Sequence, residues 1–471
     1  MKINPPPLSK KTFQPPKPPK KWWGVNPKIF KAYDIRGIYP EQINGDIAYL
    51  VGRAFVKFLK KEKTNIVVGR DARLSTPELF KGLVKGITDQ GANVIDIGFS
   101  ITPMVYFATA HFKLDGGIQV TASHNPSQYN GFKMVRENAV PIGGHSGIKE
   151  IQEMVIKGNF ETKKKGEAQK KEILSDYAKF NLKDFDLGKI KNFKIVVDTA
   201  NAVPGIVAPE FFKKIDCKTY YLYSKLDGNF PNHSPDPIIK ENLKGLQKEI
   251  LNRGADLGIA FDGDGDRIIF VDEKGKIISG DLISAFIVTK LLKEKPGEKI
   301  LCDIRSSALV QMAIKEAGGR VVIGRVGHSF IKERMRKENI LFQGELNGHY
   351  YLRDHYFSEV PFFIIFKVLQ ELAESKKSLS ELVEPFIKYF YSGEMNFEVE
   401  GKEGILKLLE KKYNKGKVLK IDGLRVDFKD WWFNARPSNT EPVLRLVVEA
   451  NTEKLMEEKK QELVRLITKK R

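Results

Sequence analysis

The sequence predicts an α/β protein built from three related α/β domains and a smaller α+β domain at the C-terminus. The chain has 471 residues, which is enough for three or four domains at roughly 100–200 residues each. A pattern of apolar strand, loop, one-sided helix and second apolar strand occurs three times, and the last ~80 residues do not follow it. An apolar fraction of 41% with 10% aromatic residues suffices for packed cores and excludes a largely disordered chain.

Residues 1–24 precede the first predicted domain and are rich in proline and lysine. They hold six lysines, no acidic residue and seven of the 23 prolines, a composition typical of a disordered, polyproline-II-like arm. The whole chain carries a formal charge of +20. Such an excess is compatible with nucleic acid, an anionic membrane surface or small anionic substrates. We favour an arm that is solvated and binds no partner. The non-enzymatic alternative for the function of the chain is a polyanion-binding protein.

Each of the three repeats predicts one βαβ unit, in which the crossover helix makes the two strands parallel. The predicted strands cover 65–71 and 92–98, 193–198 and 217–223, and 299–303 and 319–324. The predicted helices between them cover 77–91, 207–214 and 307–317. The C-terminal part instead predicts a helix at 403–413, strands at 424–428 and 443–449, and a helix at 452–468, which is an α+β order.

The first chemically informative loop, residues 121–133, follows an apolar strand that ends at Val120. It places a serine hydroxyl, Ser123, beside His124, and a hydroxyl next to an imidazole can be an activated nucleophile. Two turn dipeptides, Asn125-Pro126 and Asn130-Gly131, indicate a tight, structured loop. A Ser-His pair in a turn is more often a local hydrogen-bonding pair, and the sequence has no G-x-S-x-G elbow that would favour a hydrolase.

The second loop is Asp262-Gly-Asp-Gly-Asp-Arg267, between apolar strands at 257–261 and 268–271. Three converging carboxylates need a positive charge between them, and a hard divalent cation with oxygen ligands supplies it. An EF-hand is excluded, because Arg267 stands where its sixth-position glycine belongs and strands replace its helices. A magnesium phosphatase with Asp262 as nucleophile remains an alternative, although that class normally has Thr or Val at the position of Asp266.

Two further loops carry polar groups suited to a sugar and to an anion. Glu345 and His349, in the segment 344–349, can both hydrogen-bond to sugar hydroxyls. The segment 436–442 combines the guanidinium of Arg436 with hydroxyl, amide and backbone N–H groups, and this set favours phosphate binding. Each loop taken alone is compatible with an ordinary surface turn.

The four loops together, in this order and on a chain of this length, resemble the α-D-phosphohexomutase superfamily. The resemblance is closest to bacterial phosphomannomutase/phosphoglucomutase enzymes, and the segments 32–37, 125–135 and 326–329 also fit that group. It covers the chain from Ile29 onwards. It implies three α/β domains with mixed sheets and one α+β domain around a central cleft. The expected boundaries are 1–24 for the arm, then 25–168, 169–275, 276–388 and 389–471.

The resemblance also implies an activity, which is the interconversion of the 1- and 6-phosphates of mannose and/or glucose. The enzyme would carry a phosphoserine at Ser123 and would pass through a hexose 1,6-bisphosphate, which also primes it. Magnesium would bind Asp262, Asp264, Asp266 and a phosphoryl oxygen on Ser123. The matching catalytic positions are Ser123, His124, Lys133, Arg36 and Arg267, with Arg36 or Lys133 as candidate proton relays. The matching substrate-binding positions are Tyr33, Arg305, His328, Glu345, Asn347, His349, Arg436, Ser438, Asn439 and Thr440.

Three departures from the family pattern bear on the substrate. Asn347 stands where a serine is usual, Arg305 stands where many relatives have lysine, and the segment 358–361 replaces an aspartate-rich turn. A phosphoglucosamine mutase is the alternative within the class, disfavoured by Tyr129 before the Asn-Gly pair. No apolar run approaches the ~20 residues of a membrane helix, no secretory signal follows Met1, and two cysteines form no disulfide framework. We expect a cytoplasmic enzyme that binds small-molecule sugar phosphates but neither membrane nor nucleic acid, with no prediction of its oligomeric state.

Overall fold

The computed structural model describes residues 24–61, 63–161, 163–438 and 443–469. The predicted arm therefore lies outside the described residues, apart from Gly24, and so do the predicted substrate residues Asn439 and Thr440. Within the described part of the chain, no helix is long and apolar enough to cross a bilayer.

The first domain is a mixed seven-stranded sheet with strand order β1-β5-β4-β2-β3-β7, in which β6 pairs only with β5. Its strands β1 to β7 are Ile35–Ile38, Asn65–Arg70, Asn93–Phe99, Gly116–Val120, Tyr129–Arg136, Val140–Pro141 and Ala168–Lys170. Its helices α1 to α4 are Gly45–Leu59, Thr76–Asp89, Thr102–His111 and Lys149–Lys157. The pairing of β2 with β3 is parallel, as predicted, and β7 continues this sheet across the predicted boundary at 168.

The second domain has a five-stranded sheet with order β12-β11-β10-β8-β9. Its strands β8 to β12 are Lys191–Asp198, Asp216–Leu222, Leu257–Phe261, Ile268–Asp272 and Ile277–Ile278. Its helices α5 to α7 are Leu174–Leu182, Pro204–Phe212 and Lys244–Arg253. The pair β8 and β9 is parallel, as predicted, whereas β10 and β11 form an antiparallel hairpin. Every residue of β10 and β11 is buried, so both strands read as continuous apolar runs.

The third domain repeats this plan, with order β14-β13-β15-β16-β17. Its strands β13 to β17 are Lys299–Asp303, Arg320–Gly324, Phe342–Gly344, Tyr350–Leu352 and Ser358–Glu359. Its helices α8 to α12 are Gly280–Glu294, Ala308–Glu316, His328–Glu338, Pro361–Ser375 and Leu379–Val383. The parallel pairing of β13 with β14 confirms the third predicted βαβ unit.

The fourth domain is an antiparallel six-stranded sheet with order β18-β23-β22-β21-β20, in which β19 also pairs with β23. Its strands β18 to β23 are Phe390–Tyr391, Met395–Phe397, Lys417–Leu419, Leu424–Asp427, Trp431–Pro437 and Leu444–Ala450. Its helices α13 and α14 are Lys402–Lys412 and Glu453–Thr468. The predicted α+β character of this domain is confirmed.

The largest cluster of buried apolar side chains spans three of the four domains. One continuous cluster of buried side chains runs through the first three domains, and the ring of Phe211 in α6 stacks on that of Phe362 in α11 across a domain boundary. The fourth domain has a separate core around Leu409, Phe433 and Leu463. The three repeats therefore share one large cluster and also have separate clusters of their own, around Phe55, Leu246 and Met335. Polar contacts described below link the fourth domain to the third.

The predicted crossover helices are present as α2, α6 and α9, with ends that differ from the prediction by up to three residues. The largest difference is at α6, which begins at Pro204 and not at 207. A proline at the first helical position has a suitable φ and lacks an N–H that the first turn could not pair, so it favours an earlier start.

Candidate active site

The hydroxyl of Ser123 lies where the first two domains meet. Ser123 follows β4, is 1% exposed and has a left-handed backbone conformation with φ of +53°. Its Oγ donates a hydrogen bond to Asp262 Oδ2 of the second domain at 2.9 Å. The Nδ1 atom of His124 lies 3.3 Å from the same Oγ. Burial and the nearby charge of Arg267 hold the pKa of His124 well below its usual value, so its imidazole is neutral at neutral pH.

Three carboxylates converge on the hairpin between β10 and β11, as the sequence predicted. Oxygen atoms of Asp262, Asp264 and Asp266 lie within 4.8 Å of one another, and all three residues are buried. Burial and the two neighbouring carboxylates raise the pKa of Asp262 well above its ordinary value. The Oδ1 atoms of Asp264 and Asp266 are buried and have no hydrogen-bond partner among the described residues. Such a set of converging oxygens with free lone pairs fits a hard divalent cation.

Cationic side chains of two domains surround these carboxylates. Lys133 on β5 donates to Asp264 Oδ2 at 2.7 Å and also to Asp266 Oδ2. Burial alone would lower the pKa of Lys133, but the carboxylates of Asp264 and Asp266 raise it above its ordinary value. The guanidinium of Arg267 lies 3.9 Å from Asp262 Oδ2. These two cations partly offset the negative charge of the acidic cluster.

The predicted sugar loop, residues 344–349 between β15 and β16, contacts the acidic loop, residues 262–267, directly. The ring of His349 accepts a hydrogen bond from Arg267 Nε at 2.8 Å, and its Nδ1 lies 3.1 Å from the carbonyl oxygen of Asp266. Glu345 accepts hydrogen bonds from Tyr351 at 2.7 Å and from Arg305 at 3.0 Å. Burial raises the pKa of Glu345 to about 7, although the charge of Arg305 opposes this rise. The second and third predicted loops therefore form one connected site.

Four other predicted residues line the same region. Arg36 on β1 donates to the side chains of Asn125 and Asp34, which places its guanidinium beside the Ser123 loop. The rings of Tyr33 and His328 meet edge to face at 5.4 Å. Within the described residues, His328 Nδ1 and Asn347 Oδ1 are buried and have no hydrogen-bond partner. The amide oxygen offers an acceptor to a ligand, and the ring nitrogen offers a donor or an acceptor according to its tautomer.

The predicted phosphate-binding arginine is part of a cluster that joins the third and fourth domains. Arg436 lies within β22, and its guanidinium donates to Glu394 Oε2 at 3.0 Å. Arg445 donates to the other carboxylate oxygen of Glu394 at 3.1 Å, and Arg305 of the third domain lies 3.7 Å from Oε2. The backbone N–H of Ser438 donates to Val443. Three guanidinium groups thus converge on a single carboxylate at the predicted anion site.

The segment that replaces the expected aspartate-rich turn is buried. Glu359 in β17 forms an ion pair with Lys332 of α10 at 2.7 Å, and both side chains are almost fully buried. Glu359 also lies close to Asp266 and His349. The buried ion pair of Lys332 and Glu359 therefore lies next to Asp266 and His349, and the sequence did not indicate this pair.

Three further residues of the site were not identified from the sequence. Arg73 donates to four backbone carbonyl groups of the Ser123 loop. Thr102 at the start of α3 donates to Asp264 through its hydroxyl. Glu394 unites the three arginines described above. The repeat of Asp71-Ala-Arg73 as Asp303-Ile-Arg305, at the end of equivalent strands, is the one sequence signal that could have indicated Arg73.

Contacts thus link loops of all four domains. One set runs from Ser123 through Asp262 and Arg267 to His349. Another runs from Glu345 through Arg305 and Glu394 to Arg436. A hydroxyl, a carboxylate cluster and fixed cations are what a phosphoryl-transfer enzyme for a small anionic substrate needs.

The four family models for phosphoglucomutase/phosphomannomutase match the chain in order. The models for α/β/α domains I, II and III match residues 27–162, 175–275 and 279–390, and the C-terminal domain model matches 394–466. The chain belongs to the phosphoglucomutase/phosphomannomutase family, and the resemblance to the α-D-phosphohexomutase superfamily is confirmed. It is a hexose-phosphate mutase, an isomerase of carbohydrate metabolism.

Individual relatives cover nearly the whole chain. It is 39% identical over 448 residues to the phosphomannomutase of Methanocaldococcus jannaschii, which covers 94% of this chain and 98% of that protein. It is 38% identical over 435 residues to the phosphomannomutase/phosphoglucomutase of Pseudomonas syringae, with 91% and 92% covered. A crystal structure of a phosphoglucomutase/phosphomannomutase family protein from Burkholderia thailandensis superposes with a TM-score of 0.87 at 32% identity, covering 94% and 97% of the two chains.

Proposed function

We propose that the chain interconverts the 1- and 6-phosphates of mannose and/or glucose through a phosphoserine at Ser123 and a hexose 1,6-bisphosphate. The observation that carries this proposal is the position of the Ser123 hydroxyl, which is buried, held in a left-handed turn and hydrogen-bonded to the acidic loop at 2.9 Å. The names of the relatives support mannose and glucose as the sugars.

Asp262, Asp264 and Asp266 would hold a magnesium ion, as their convergence and the unpartnered oxygens of Asp264 and Asp266 suggest. When bound, the ion would offset the roughly two negative charges of a phosphoserine. Lys133 and Arg267 are fixed beside the same carboxylates and add positive charge where the phosphoryl group is transferred. Preorganised charge of this kind is the main protein contribution to phosphoryl transfer.

In the forward half-reaction, a sugar hydroxyl oxygen forms a bond to phosphorus while the bond from phosphorus to Ser123 Oγ breaks. The hydroxyl proton leaves the sugar, and Ser123 regains a proton. In the second half, Oγ forms a bond to the other phosphorus of the bisphosphate while the bond from that phosphorus to the sugar oxygen breaks. The serine proton passes to the sugar oxygen, and the isomeric monophosphate is released. His124 lies near enough to Oγ to exchange this proton. The proton relays implied by the family are Arg36, which contacts Asn125 of the Ser123 loop, and Lys133, which contacts Asp264 of the acidic loop.

The remaining predicted residues would bind the sugar and the phosphate that does not react. Glu345, Asn347 and His349 would contact the sugar hydroxyls. Arg305, Arg436, Ser438, Asn439 and Thr440 would bind the phosphate, and Tyr33 and His328 would also contact the substrate. The bisphosphate must turn over within the site to present its second phosphate, so these contacts must serve both orientations. The domain boundaries 25–168, 169–275, 276–388 and 389–471 complete the proposal and lie close to the ranges of the family models, although β7 extends the sheet of the first domain to Lys170.

The Ser123→Ala variant tests the phosphoserine. We expect it to lose turnover by about a thousand-fold or more in the presence of glucose 1,6-bisphosphate, because the group that carries the phosphoryl is absent. Intact-mass measurement should show one phosphoryl group on the wild type and none on the variant. Ser127→Ala, in the same loop, is the control and should retain both. Normal turnover by Ser123→Ala would refute the mechanism.

A substrate panel tests the sugar and the alternatives. Mannose 1-phosphate, glucose 1-phosphate and glucosamine 6-phosphate should be compared with trace bisphosphate and excess magnesium. We expect turnover of mannose and/or glucose phosphate to exceed that of glucosamine phosphate. Preference for the amino sugar would support a phosphoglucosamine mutase, and release of inorganic phosphate without isomerisation would support a phosphatase.

A further inference from the structure

Arg73 is a fully buried arginine whose side chain ends on the backbone of the Ser123 loop. One terminal nitrogen donates to the carbonyl oxygens of Pro126 at 2.6 Å and Tyr129 at 3.0 Å. The other donates to the carbonyl oxygens of Ser123 at 2.8 Å and Asn125 at 2.6 Å. A guanidinium has five N–H donors in a rigid fork, and four loop carbonyls accept from this one. No side chain of the loop takes part in these four bonds.

Asp71 holds Arg73 in place from the side of its backbone and Nε. Its carboxylate accepts from the backbone N–H of Arg73 at 3.1 Å and from Arg73 Nε at 3.0 Å. It also accepts from the hydroxyl of Thr121 at 2.7 Å, and Thr121 Oγ1 in turn accepts from the backbone N–H of Ser123 at 2.9 Å. The N–H of Ser123 is therefore held by Thr121, and its C=O by Arg73.

Ser123 needs such support because its φ of +53° is unfavourable for a residue with a Cβ. Residues held in sparsely populated backbone regions persist only when the surrounding structure determines them from several directions. We propose that Arg73 is a positioning residue that holds Ser123 in this conformation and so aims its Oγ at the acidic loop. The inference rests on the proposed role of Ser123 as phosphoryl carrier.

The second domain closes over Arg73 from the opposite side. The ring of Phe230 faces the guanidinium at 5.1 Å. Gly228 lies so close to the backbone of Ala72 that a Cβ would stand 2.5 Å from its carbonyl oxygen. The carbonyl oxygen of Pro235, in the same segment, accepts from the backbone N–H of Gly263 in the acidic loop at 3.1 Å. One segment of the second domain, residues 228–235, therefore contacts both Arg73 and the acidic loop, and links the two halves of the phosphoryl-transfer site.

Arg73 touches neither the sugar loop nor the arginine cluster, so its loss should affect transfer more than binding. Displacement of a reacting group by about 1 Å can cost on the order of 100-fold in rate. We expect Arg73→Met to lower kcat by about 100-fold, with KM within about two-fold of the wild type. Arg73→Lys keeps the charge opposite Asp71 but offers no fork, and we expect about a 10-fold loss of kcat.

Arg70 provides the matched control, because it ends the same strand and is ion-paired to Asp96 at 2.6 Å without contacting the loop. Arg70→Met should keep kcat within about two-fold. Chemical rescue separates positioning from folding. In Arg73→Ala, millimolar guanidinium should restore part of kcat by filling the vacated site, and it should have no effect on Ser123→Ala or Arg70→Met.

The inference fails if Arg73→Lys and Arg73→Met fold as the wild type by circular dichroism and thermal unfolding and keep its kcat. It also fails if their activity loss is matched by Arg70→Met and guanidinium rescues nothing, since that pattern indicates a structural role. If Arg73→Met does not fold, the kcat of Arg73→Lys alone tests the positioning role. An active Ser123→Ala enzyme would refute the proposed function itself, whereas an inactive one with normal Arg73 variants refutes only the positioning role.

Discussion

The first and third domains carry the same three-residue motif at the same place and use it differently. Asp71-Ala-Arg73 directly follows β2, and Asp303-Ile-Arg305 begins at the last residue of β13, so each lies at the end of the first strand of a βαβ unit. In both, the aspartate accepts from the N–H of the residue two positions later, at 3.1 Å and 2.7 Å. In both, the arginine Nε also donates to that aspartate, at 3.0 Å and 3.1 Å.

The two arginines differ in the groups that their terminal guanidinium nitrogens contact. Those of Arg73 end on neutral carbonyl groups of one loop, so the arginine acts within its own domain as a scaffold. Those of Arg305 approach the carboxylates of Glu345 and Glu394, which come from two other segments. Burial lowers the pKa of an arginine, yet these carboxylates and Asp303 raise the pKa of Arg305 well above its ordinary value. The comparison shows that one local motif can support either a rigid loop or a charged binding surface, and the partners decide which.

Replacing Arg305 is the strongest test of this contrast. Arg305→Met leaves three buried or half-buried carboxylates without their shared cation and removes a proposed phosphate ligand. Truncating one partner of a buried, hydrogen-bonded charge pair costs roughly 2–5 kcal/mol. We expect kcat/KM for the hexose phosphate to fall by about 100-fold or more, mainly through a higher KM, as measured by steady-state kinetics.

Arg353→Met is the control for that loss, because Arg353 pairs with Glu298 in the same domain away from the site. It should change kcat/KM by no more than about two-fold. The contrast with Arg73, whose variants should lower kcat, would be broken if Arg305→Met lowered kcat and left KM unchanged.

Glu394→Gln tests the dependence of Arg305 on another domain. The glutamate carboxylate joins Arg305 of the third domain to Arg436 and Arg445 of the fourth, and a neutral amide holds them less firmly because charge-assisted hydrogen bonds are the stronger kind. We expect KM for the sugar phosphate to rise by about 10-fold, corresponding to 1.4 kcal/mol, with a smaller change in kcat. Glu298→Gln is the control. A lower KM in Glu394→Gln would instead show that this carboxylate competes with the substrate phosphate for the arginines.

Much of the fold could be predicted from the sequence, because the signals are local. The apolar strands and one-sided helices of the three repeats are visible as patterns along the chain, and the strands appear within about two residues of their predicted bounds. The carboxylates of the acidic loop could also be assigned, since Asp262, Asp264 and Asp266 lie within five residues of one another and their repulsion calls for a cation.

The missing parts of the site depend on contacts between distant segments. Arg73 acts on backbone carbonyls, which have no side-chain signature, and Glu394 acts on arginines that are brought together only by the packing of the fourth domain on the third. Arg305 could be named through the family resemblance, whereas Arg73 has an equivalent local motif but no assigned role. Sequence patterns thus revealed the groups that would touch the substrate and missed those that hold them in place.

The test with the smallest expected effect is in the second domain, whose repeat keeps the aspartate, Asp198, but has Ala200 where the other two repeats have arginine. Asp198 ends β8 and accepts from the N–H of Ala200 at 3.0 Å, and its charge is met by His233 from a different segment at 3.1 Å. Burial lowers the pKa of His233, but hydrogen bonding to Asp198 outweighs this and raises it above its ordinary value. The groups that face the imidazole are Asp198, the ring of Tyr223 and the carbonyl oxygen of Ser234.

A histidine whose pKa is raised in the folded state stabilises it fully below the unfolded pKa of about 6.5, and this contribution is lost as pH rises through the folded pKa. We therefore expect His233→Asn to lower the free energy of unfolding by about 1 kcal/mol at pH 5.5 and by much less at pH 8.5, as measured by urea denaturation. Asp198→Asn should remove the same pH-dependent part, since both variants break one pair. If the two variants differed in this pH dependence, the pairing of Asp198 with His233 would not be the second domain's counterpart of the aspartate–arginine pairs. The motif would then be shared by two domains and not by three.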